Sequence, residues 1–437
     1  MCSIGVTNKN GLVNVNEFAQ KRGPDKTNVE VINGIEFLHN LLHLTGEFTT
    51  QPFHQNDIAV VFNGEIYNYL DFGTYKTDGE CLIDLYKEHG PEFTKLLDGE
   101  FAICLIDFVK NKIVISTDTF ACKPLWFEFT GKDFCVASYN SQLTGLGFNK
   151  GNKLYANTTA VYNLDTHVLE YTFNNVIFDI KQFKTNFDDW VQSFENSIRK
   201  RVDKVQYGVF LGLSSGYDSG AIVCELNKQK RNFKTYTITG PENMNIINQR
   251  ISNITDYELI DFTRSEYNSI QTDLQINCEN FKYQDQFLNY DIKEDKASMG
   301  LSAICRRAVK EGRRIYLSGQ GADEIISDYG FNGYKIYAHS SFGGKFPADL
   351  NGFFPWHSFY DGTQIQYLNK EEYIAGHHGI ETRYPFLDKD LVQEFLWLKP
   401  ELKNSKYKST LNEYLTINNS PFNPGEKIGF NTLKNIK

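Results

Sequence analysis

The sequence has 437 residues, 41% of them hydrophobic and 23% charged, and its formal net charge is −9. This composition is typical of a folded protein with two or three domains, and it excludes a collagen-like, coiled-coil or wholly disordered chain. The acidic balance argues against a nucleic-acid partner. The apolar runs are far shorter than the roughly 20 residues that span a bilayer, and no basic segment with an apolar stretch opens the chain. We therefore expect a cytoplasmic protein that binds no membrane.

The eight cysteines are spread through the sequence, and no two have the CxxC spacing of a structural zinc site. They are also too sparse for a disulfide scaffold, which agrees with a reducing compartment. Only Cys2, next to the initiator methionine, has a position that suggests chemistry.

The first part of the chain, up to about residue 165, has the pattern of short strands joined by brief connections. The apolar run 58–62 predicts a strand that ends in a turn at Asn63-Gly64. Residues 79–90 carry apolar residues one helical turn apart and predict an amphipathic helix. Two more strands are expected at 101–108 and 112–116. Strands that follow one another so closely favour antiparallel sheet.

The second part of the chain has a different rhythm. Residues 166–186 have no strong periodicity, so we place the boundary near 165–185, with domains at 1–170 and 186–437. Strands and helices alternate after it, which predicts a doubly wound, parallel α/β sheet. The predicted elements are a helix over 190–202, a strand over 207–213, a helix over 219–229, a strand over 233–239, a helix over 298–310 and a strand over 314–317.

Cys2 has a small side chain, which permits removal of Met1. The α-amino group that this exposes, with a pKa of about 7.7–8, can accept the thiol proton at neutral pH. Alone, a cysteine at this position is a weak indication of chemistry. Asn63 and Gly64 strengthen it, because an Asn side chain and a Gly amide can form an oxyanion hole. Asp78 has two interpretations, the cap of the following helix or a carboxylate directed at a substrate ammonium.

Together these residues resemble the glutaminase domain of class II glutamine amidotransferases. The resemblance implies an N-terminal-nucleophile hydrolase with an αββα sandwich. It assigns Cys2 as the nucleophile and Asn63 with Gly64 as the oxyanion hole, while Glu65 and Asp78 would hold the amino group of glutamine. The motif residues here are Cys2, 22–25 (RGPD), 63–68 (NGEIYN) and Asp78.

One position departs from the amidotransferase pattern. The family usually has an Arg that grips the glutamine α-carboxylate, and Leu41 stands where that Arg would fall. Leucine cannot bind a carboxylate, so either another donor replaces the Arg, with Arg22 or a nearby histidine as candidates, or glutamine binds poorly. His39 and His43 are four residues apart, but without a third ligand we expect packed or surface histidines and no metal site.

Two loops rich in Gly and Ser follow predicted strands of the second domain. The first, 213–219 (LSSGYDS), joins a strand to a helix, where small residues let backbone amides approach a phosphate. Such a turn can also be purely structural, and it is not a Walker A loop, since GxxxxGK[ST] does not occur in the chain. The second loop, 317–324 (LSGQGADE), strengthens the nucleotide interpretation. Asp218 and Asp323 then offer one carboxylate from each loop for Mg²⁺.

With 379–388 (GIETRYPFLD) and 426–430 (EKIGF), the two loops resemble the synthetase domain of asparagine synthetases. The resemblance implies that ammonia from glutamine crosses an internal tunnel to a site where ATP activates a carboxylate as an acyl-adenylate. Ammonia then displaces AMP, so aspartate would become asparagine with release of AMP and pyrophosphate. Members of this family are commonly homodimers, so the resemblance also implies a homodimer. The positions assigned to ATP and pyrophosphate are Ser214, Ser215, Gly216, Asp218, Ser219, Ile238, Ser318, Gly319 and Lys427, and those assigned to Mg²⁺ are Asp218 and Asp323.

Two positions depart from the synthetase pattern. Ser215 replaces the first Gly of the family's Ser-Gly-Gly-x-Asp-Ser loop. Gln320 replaces a Glu, and Gln cannot serve as a base at pH 7. Either the acceptor differs from aspartate, or a neighbouring carboxylate such as Glu324 or Asp328 compensates, although Glu324 also has a structural interpretation.

Two alternatives to asparagine synthesis stay open. One is a related enzyme that forms an amide bond on another carboxylate, as a β-lactam synthetase does; such relatives commonly lose the nucleophilic cysteine, whereas Cys2 is retained. The other is a catalytically impaired binding relative. The intact Asn63, Asp78, Asp218 and Asp323 count against it, because loss of catalysis should leave more of these positions free to drift.

Overall fold

The structure is a computed structural model that describes residues 2–149, 151–240 and 242–425. It divides into two compact units. The first contains residues 1–177, 277–279 and 375–381, and the second contains residues 178–276, 280–374 and 382–437. The main division, between residues 177 and 178, lies inside the segment that we assigned to the connector.

The first unit is built from strands, with two short α-helices, α1 (Cys81–His89) and α2 (Asn140–Gly145). Its strands are β1 (Ser3–Thr7), β2 (Lys26–Ile32), β3 (Ile35–Leu41), β4 (Phe53–Gln55), β5 (Ile58–Ile66), β6 (Gly99–Asp107), β7 (Lys112–Thr117), β8 (Trp126–Phe129), β9 (Phe134–Ala137), β10 (Asn152–Lys153), β11 (Thr158–Asn163) and β12 (Leu169–Asn174). They form two six-stranded sheets of order β10-β8-β9-β1-β3-β2 and β12-β11-β7-β6-β5-β4. Their pairings are antiparallel, as the short connections predict.

The apolar run of β5 shows how this unit is layered. Side chains alternate across a strand, so Ala59 and Val61 join the core between the two sheets, whereas Val60 and Phe62 join a second core with α1. Both faces of this run are covered, which explains why residues 58–62 are apolar without a break. On the other sheet, α2 packs against β8 and β9. The layers therefore run helix, sheet, sheet, helix, and the predicted αββα sandwich is confirmed.

One local prediction for this unit is wrong. Asn63-Gly64 does not form a turn, because β5 continues to Ile66 and Gly64 pairs with Phe101 of β6. A Cβ on Gly64, which has a φ of +136°, would lie 1.9 Å from the Glu100 carbonyl oxygen. Glycine is therefore needed for the close approach of two strands. The predicted helix over 79–90 is α1, preceded by a 3₁₀ turn at Asp78–Glu80.

The second unit contains a five-stranded sheet and most of the helices. Its strands are β13 (Gly208–Gly212), β14 (Phe233–Ile238), β15 (Tyr257–Ile260), β16 (Arg313–Leu317), the short pair β17 (Gly330–Phe331) and β18 (Tyr334–Lys335), and β19 (Glu381–Arg383). Its helices are α3 (Asp188–Val202), α4 (Tyr217–Lys228), α5 (Met244–Ile251), α6 (Arg264–Asn277), α7 (Lys296–Lys310), α8 (Ala322–Ile326), α9 (His357–Tyr360), α10 (Gly362–His377), α11 (Lys389–Trp397), α12 (Pro400–Lys403) and α13 (Ser409–Ile417). In the part of the chain that the structure describes, no helix is long and apolar enough to cross a membrane.

The sheet of the second unit has the order β15-β14-β13-β16-β19, and β13 to β16 pair in parallel. The predicted parallel α/β sheet is confirmed. Strand β15 was not predicted, because it is an edge strand with exposed Tyr257 and Leu259 around a charged Glu258. Since β13 and β16 are neighbours, the two loops that follow them leave the same edge of the sheet, where such folds bind ligands.

Candidate active sites

Cys2 is buried just before β1. Its backbone nitrogen donates to Asn63 Oδ1 over 2.9 Å, and its Sγ lies 3.9 Å from the Leu42 carbonyl oxygen. Burial raises the pKa of the Cys2 thiol to about 11. A thiol in this setting stays protonated at neutral pH, so it needs a base nearby to become a nucleophile.

Asn63 is the strongest oxyanion-hole candidate among the predicted residues. Its side chain is fully buried, Oδ1 is used by Cys2, and Nδ2 has no hydrogen-bond partner in the described structure. A buried donor without a partner costs stability. The same donor is available to stabilise negative charge that develops beside Cys2. Gly64 lies next to it, where its lack of a side chain holds β5 close to β6.

A cavity beside Cys2 brings the predicted glutamine-binding carboxylates together. Glu65 accepts from Thr45 Oγ1 over 3.0 Å, and Asp78 accepts from the Ile66 amide over 2.9 Å. Both side chains are less than a tenth exposed, so their charges are poorly screened. This arrangement attracts an ammonium group. The cavity is lined by Cys2, Leu41, Leu42, His43, Leu44, Thr45, Glu47, Thr49, Gln51, Phe53, Phe62, Gly64, Glu65, Thr77 and Asp78.

The residues offered as replacements for the missing Arg lie in different places. Arg22 is fully buried and is not among the cavity-lining residues; its Nε donates to the Cys2 carbonyl over 3.1 Å and its Nη1 to Tyr139 Oη over 3.2 Å. Leu41 and His43 both line the cavity. No Lys or Arg is among the described residues of that lining, so His43 is the one lining side chain there that can carry a positive charge.

His39 is a packed histidine, as expected. Its Nδ1 accepts from the Gln51 amide over 3.2 Å, and burial lowers its pKa to about 3. Within residues 2–149, 151–240 and 242–425, no group of three His, Cys, Asp or Glu side chains could hold a metal ion.

In the second unit, the loop after β13 folds back on itself at the start of α4. The Ser214 amide and hydroxyl contact Ser219 Oγ at 3.0 and 2.9 Å, and the Gly216 amide donates to Ser214 Oγ over 3.2 Å. The loop is small and tightly hydrogen-bonded within itself, so its backbone is held in one arrangement at the helix N-terminus.

Arg250 binds the backbone of this loop, and no motif in the sequence predicts this contact. Its Nη1 donates to the carbonyl oxygens of Ser214 and Gly216 over 2.5 and 2.8 Å. A Cβ on Gly220 would lie 2.3 Å from Arg250 Nη2, so a glycine in α4 makes room for the guanidinium. The carbonyl groups of Ser214 and Gly216 are therefore both tied to the Arg250 guanidinium.

The second loop lies against the first. A Cβ on Gly319 would lie 2.9 Å from Cβ of Asp218, which shows how close the loops are. The Gln320 amide donates to Ser318 Oγ over 3.0 Å, and the Ser318 amide donates to the Arg383 carbonyl of β19 over 3.0 Å. The structure thus brings Asp218 and Ser219 of one loop together with Ser318 and Gly319 of the other.

A lysine that sequence analysis did not identify joins the two predicted magnesium ligands. Lys408 Nζ lies 2.5 Å from Asp218 Oδ1 and 2.8 Å from Asp323 Oδ1, and its side chain is 1% exposed. Burial alone disfavours the ammonium, but the two carboxylates outweigh it and raise the pKa of Lys408 well above its usual range. The only signal in the sequence was indirect, since two carboxylates expected side by side need a counter-ion.

The carboxylates proposed to compensate for Gln320 are engaged in local contacts. Glu324 is buried and accepts from the Gly321 amide over 3.1 Å and from Tyr329 Oη. Asp328 accepts from the amides of Ser341 and Phe342. Both carboxylates therefore hold neighbouring chain segments in place.

Glu371 of α10 is a carboxylate that sequence analysis missed. It is hydrogen-bonded by Ser318, and its Oε2 is shielded from solvent without a partner in the described structure. Burial raises the pKa of Glu371 to about 7. Of the other predicted positions, Ile238 is buried at the end of β14, and Lys427 lies outside the described residues.

These two units define a two-site protein, with a cysteine-centred cavity in one unit and a paired-loop nucleotide-type site in the other. Comparison with known families agrees with this division: residues 1–196 match the model of the glutamine amidotransferase domain, and residues 189–363 and 356–416 match the asparagine synthase model. The chain belongs to the asparagine synthase family, and it is an enzyme of the ligase class.

The names of curated relatives state asparagine synthesis and glutamine hydrolysis. The chain is 26% identical to a probable asparagine synthetase [glutamine-hydrolyzing] of Schizosaccharomyces pombe, over 87% of this chain and 72% of the relative. It is 26% identical to a putative asparagine synthetase [glutamine-hydrolyzing] 1 of Methanocaldococcus jannaschii, over 93% of this chain and 77% of the relative. A rice asparagine synthetase [glutamine-hydrolyzing] 2 is 24% identical, over 93% and 69% of the two chains.

Proposed function

We propose that this protein is a glutamine-dependent asparagine synthetase. It hydrolyses glutamine at Cys2, and in its second unit it uses ATP to activate aspartate as a β-aspartyl-adenylate. The observation that carries the proposal is the contact of one buried ammonium, that of Lys408, with carboxylates from both nucleotide loops. That contact assembles an ATP-type site in a chain that also has a shielded cysteine beside an unpaired amide donor.

The glutaminase step follows from the contacts of Cys2. With Met1 removed, the Cys2 nitrogen is an α-amine held by Asn63 Oδ1, and it takes the thiol proton as Sγ attacks the glutamine carboxamide carbon. The oxygen of the tetrahedral intermediate accepts from Asn63 Nδ2. The proton then passes to the leaving nitrogen, the C–N bond breaks and ammonia departs. Water hydrolyses the thioester to glutamate and restores the thiol.

The glutamine is oriented by charge. Its ammonium group lies between Glu65 and Asp78, which the amidotransferase resemblance assigns to this role and which share the cavity with Cys2. Its α-carboxylate lies near His43, the cavity residue that can be cationic in place of the Arg replaced by Leu41. Arg22 acts instead on the Cys2 carbonyl, so we propose that it positions the nucleophile.

In the second unit, the acceptor carboxylate attacks the α-phosphorus of ATP, and the bond to the pyrophosphate oxygen breaks. Ammonia then attacks the acyl carbon, and AMP leaves. Asp218 and Asp323 fit Mg²⁺, which usually takes one or two carboxylates together with substrate phosphates and would neutralise phosphate charge when bound. Lys408 holds both carboxylates and stays charged, so it adds a second positive charge near the departing pyrophosphate.

Gln320 favours a second candidate, an amide synthetase for a carboxylate other than aspartate, because it removes the acid that the family places there. Glu371 is the residue we propose to replace that acid, since its carboxylate is beside Ser318 and has a pKa raised by burial to about 7. We also propose a cytoplasmic homodimer, following the family's habit.

A screen of pyrophosphate release tests the proposal. The protein is incubated with ATP, Mg²⁺, glutamine and one carboxylic acid at a time, and the products are quantified. Aspartate should give asparagine, AMP and pyrophosphate in equal amounts. Release with another acid alone would replace aspartate as the acceptor. If no acid gives pyrophosphate and glutamine gives no glutamate, the chain is a binding relative and the proposal is wrong.

A further inference from the structure

Ser215, one of the two departures from the synthetase pattern, contacts a carboxylate. Its backbone amide and its hydroxyl both donate to Glu242 Oε2, each over 2.6 Å. The Asn243 amide in turn donates to Ser215 Oγ over 3.1 Å, which fixes the hydroxyl between the two segments. Glu242 lies between β14 and α5, so it reaches the loop from the neighbouring strand. A glycine at 215 could make the amide contact but not the hydroxyl contact.

The amide and hydroxyl that donate to Glu242 are the kind of donors that bind a phosphate. Ser215 lies two residues before α4, at the point where backbone amides of a strand-to-helix turn bind anions. Glu242 Oε2 already occupies one such amide and the hydroxyl beside it. A phosphate oxygen on the same amide would come into contact with a carboxylate, and two negative charges at that distance repel each other strongly where water is scarce. The two contacts therefore exclude each other.

The surroundings compensate the carboxylate only in part. The charge of Arg250 favours the Glu242 carboxylate, but its Nη1 donates to the Ser214 and Gly216 carbonyl groups and its Nε to the Pro421 carbonyl. Burial raises the pKa of Glu242, which means that its charge is poorly solvated where it lies. The Ser215 donors are thus its main stabilising contacts in the described structure, and giving them up to a phosphate has a cost.

We propose that Glu242 sets the affinity of the ATP site by competing with the phosphates of the nucleotide for Ser215. The inference rests on the proposed function, because it assumes that this loop binds ATP and pyrophosphate. Binding of the phosphates requires Glu242 to turn away from Ser215. The apparent affinity for the nucleotide is therefore the intrinsic affinity multiplied by the fraction of molecules in which Glu242 has turned away. Ser215 increases this competition, since its hydroxyl adds a second hydrogen bond to the carboxylate.

The experiment measures the dissociation constants of pyrophosphate and ATP, each with Mg²⁺, by calorimetry on the full chain. Glu242→Gln removes the charge but keeps the size of the side chain, and it should bind pyrophosphate about tenfold more tightly than the unmodified protein. Ser215→Gly should give a smaller gain in the same direction. Glu401→Gln is the matched control, since it removes an equal charge from an exposed position in α12 and should change nothing.

Each result decides the question. Unchanged or weaker binding by Glu242→Gln, with the variant folded by circular dichroism, would overturn the competition. If Glu242→Gln does not fold, Ser215→Gly is the test variant. Unchanged or weaker pyrophosphate binding by Ser215→Gly would then also overturn the competition. If the unmodified protein and both variants bind neither ligand at millimolar concentration, the ATP site itself is wrong, and the proposed function fails with it.

Discussion

The two sites surround their paired carboxylates with different charges. In the Cys2 cavity, Glu65 and Asp78 lie among lining residues that include no Lys or Arg within the described chain. In the nucleotide site, Asp218 and Asp323 are joined by the ammonium of Lys408. The first arrangement is negatively charged, because no Lys or Arg is among the described residues of that lining. The second needs its lysine to keep two carboxylates close together between the two loops. The same residue type thus lies in two different electrostatic environments, according to the cations beside it.

The largest effect should come from Cys2→Ala. Without the thiol no thioester can form, so glutamate release should fall at least about 10³-fold. Synthesis from added ammonia should continue at the second site. The measurement is the ratio of amide formed from glutamine to amide formed from ammonium chloride. Equal loss of both activities would show that the two sites are not separable.

Lys408→Met should be next in size. It leaves Asp218 and the buried Asp323 close together without Lys408, and because the Asp218 side chain is 21% exposed, the loss of stability should be about 3 kcal/mol, the lower end for breaking a buried ion pair. Pyrophosphate release should fall about 100-fold, while glutamine hydrolysis stays near its original rate. Lys406→Met is the control, since that lysine is exposed two residues earlier. A Lys408→Met variant with normal pyrophosphate release would remove Lys408 from the nucleotide site.

Asp78→Asn tests the Cys2 cavity, the first of the two sites compared above. The amide oxygen keeps the hydrogen bond from Ile66 but removes the charge that we expect to face the glutamine ammonium. The KM for glutamine should rise about 10- to 100-fold, as for loss of a charged hydrogen bond, with a smaller change in kcat. Asp84→Asn, on the exposed side of α1, should leave both constants as they were. A fall in kcat alone would place Asp78 outside the binding of the amino group.

The smallest effect concerns a buried lysine without a carboxylate. Lys403 Nζ donates to Gln182 Oε1 over 2.8 Å and to the Leu396 carbonyl over 2.9 Å, and burial lowers its pKa to about 7. In the unfolded chain a lysine titrates near 10.4. Between these values the unfolded chain binds more protons, so the free energy of unfolding rises with pH.

That rise is the quantity to measure, by denaturant unfolding at several pH values. From pH 7 to pH 9 the unmodified protein should gain about 2 kcal/mol more than Lys403→Met does. Lys399→Met, which removes an exposed lysine nearby, should follow the unmodified protein. Parallel curves for all three proteins would mean that Lys403 keeps its proton in the fold, as Lys408 does.

Much of the fold could be predicted from the sequence, because local sequence patterns and tertiary structure agree. The apolar runs of β5, β6, β7 and β13 are strands whose faces are covered, so their sequence pattern was unambiguous. The edge strand β15 was not predicted, because its sequence mixes exposed apolar residues with a charged one and shows no clear strand pattern. The turn expected at Asn63-Gly64 was wrong because the glycine there serves contact between strands, which local turn preferences do not reveal.

By itself, the sequence determined the two-part architecture, the family and the motif residues, because these depend on residues that are close along the chain. Only the tertiary structure showed what surrounds them. Lys408 contacts both loops of the second unit, and Arg250 and Glu242 contact the first of them. All three come from other segments, and no spacing rule predicts such contacts. The charge beside these loops depends on such distant partners. The chemistry of a motif carboxylate was therefore decided by folding, which selects the counter-ion that lies beside it.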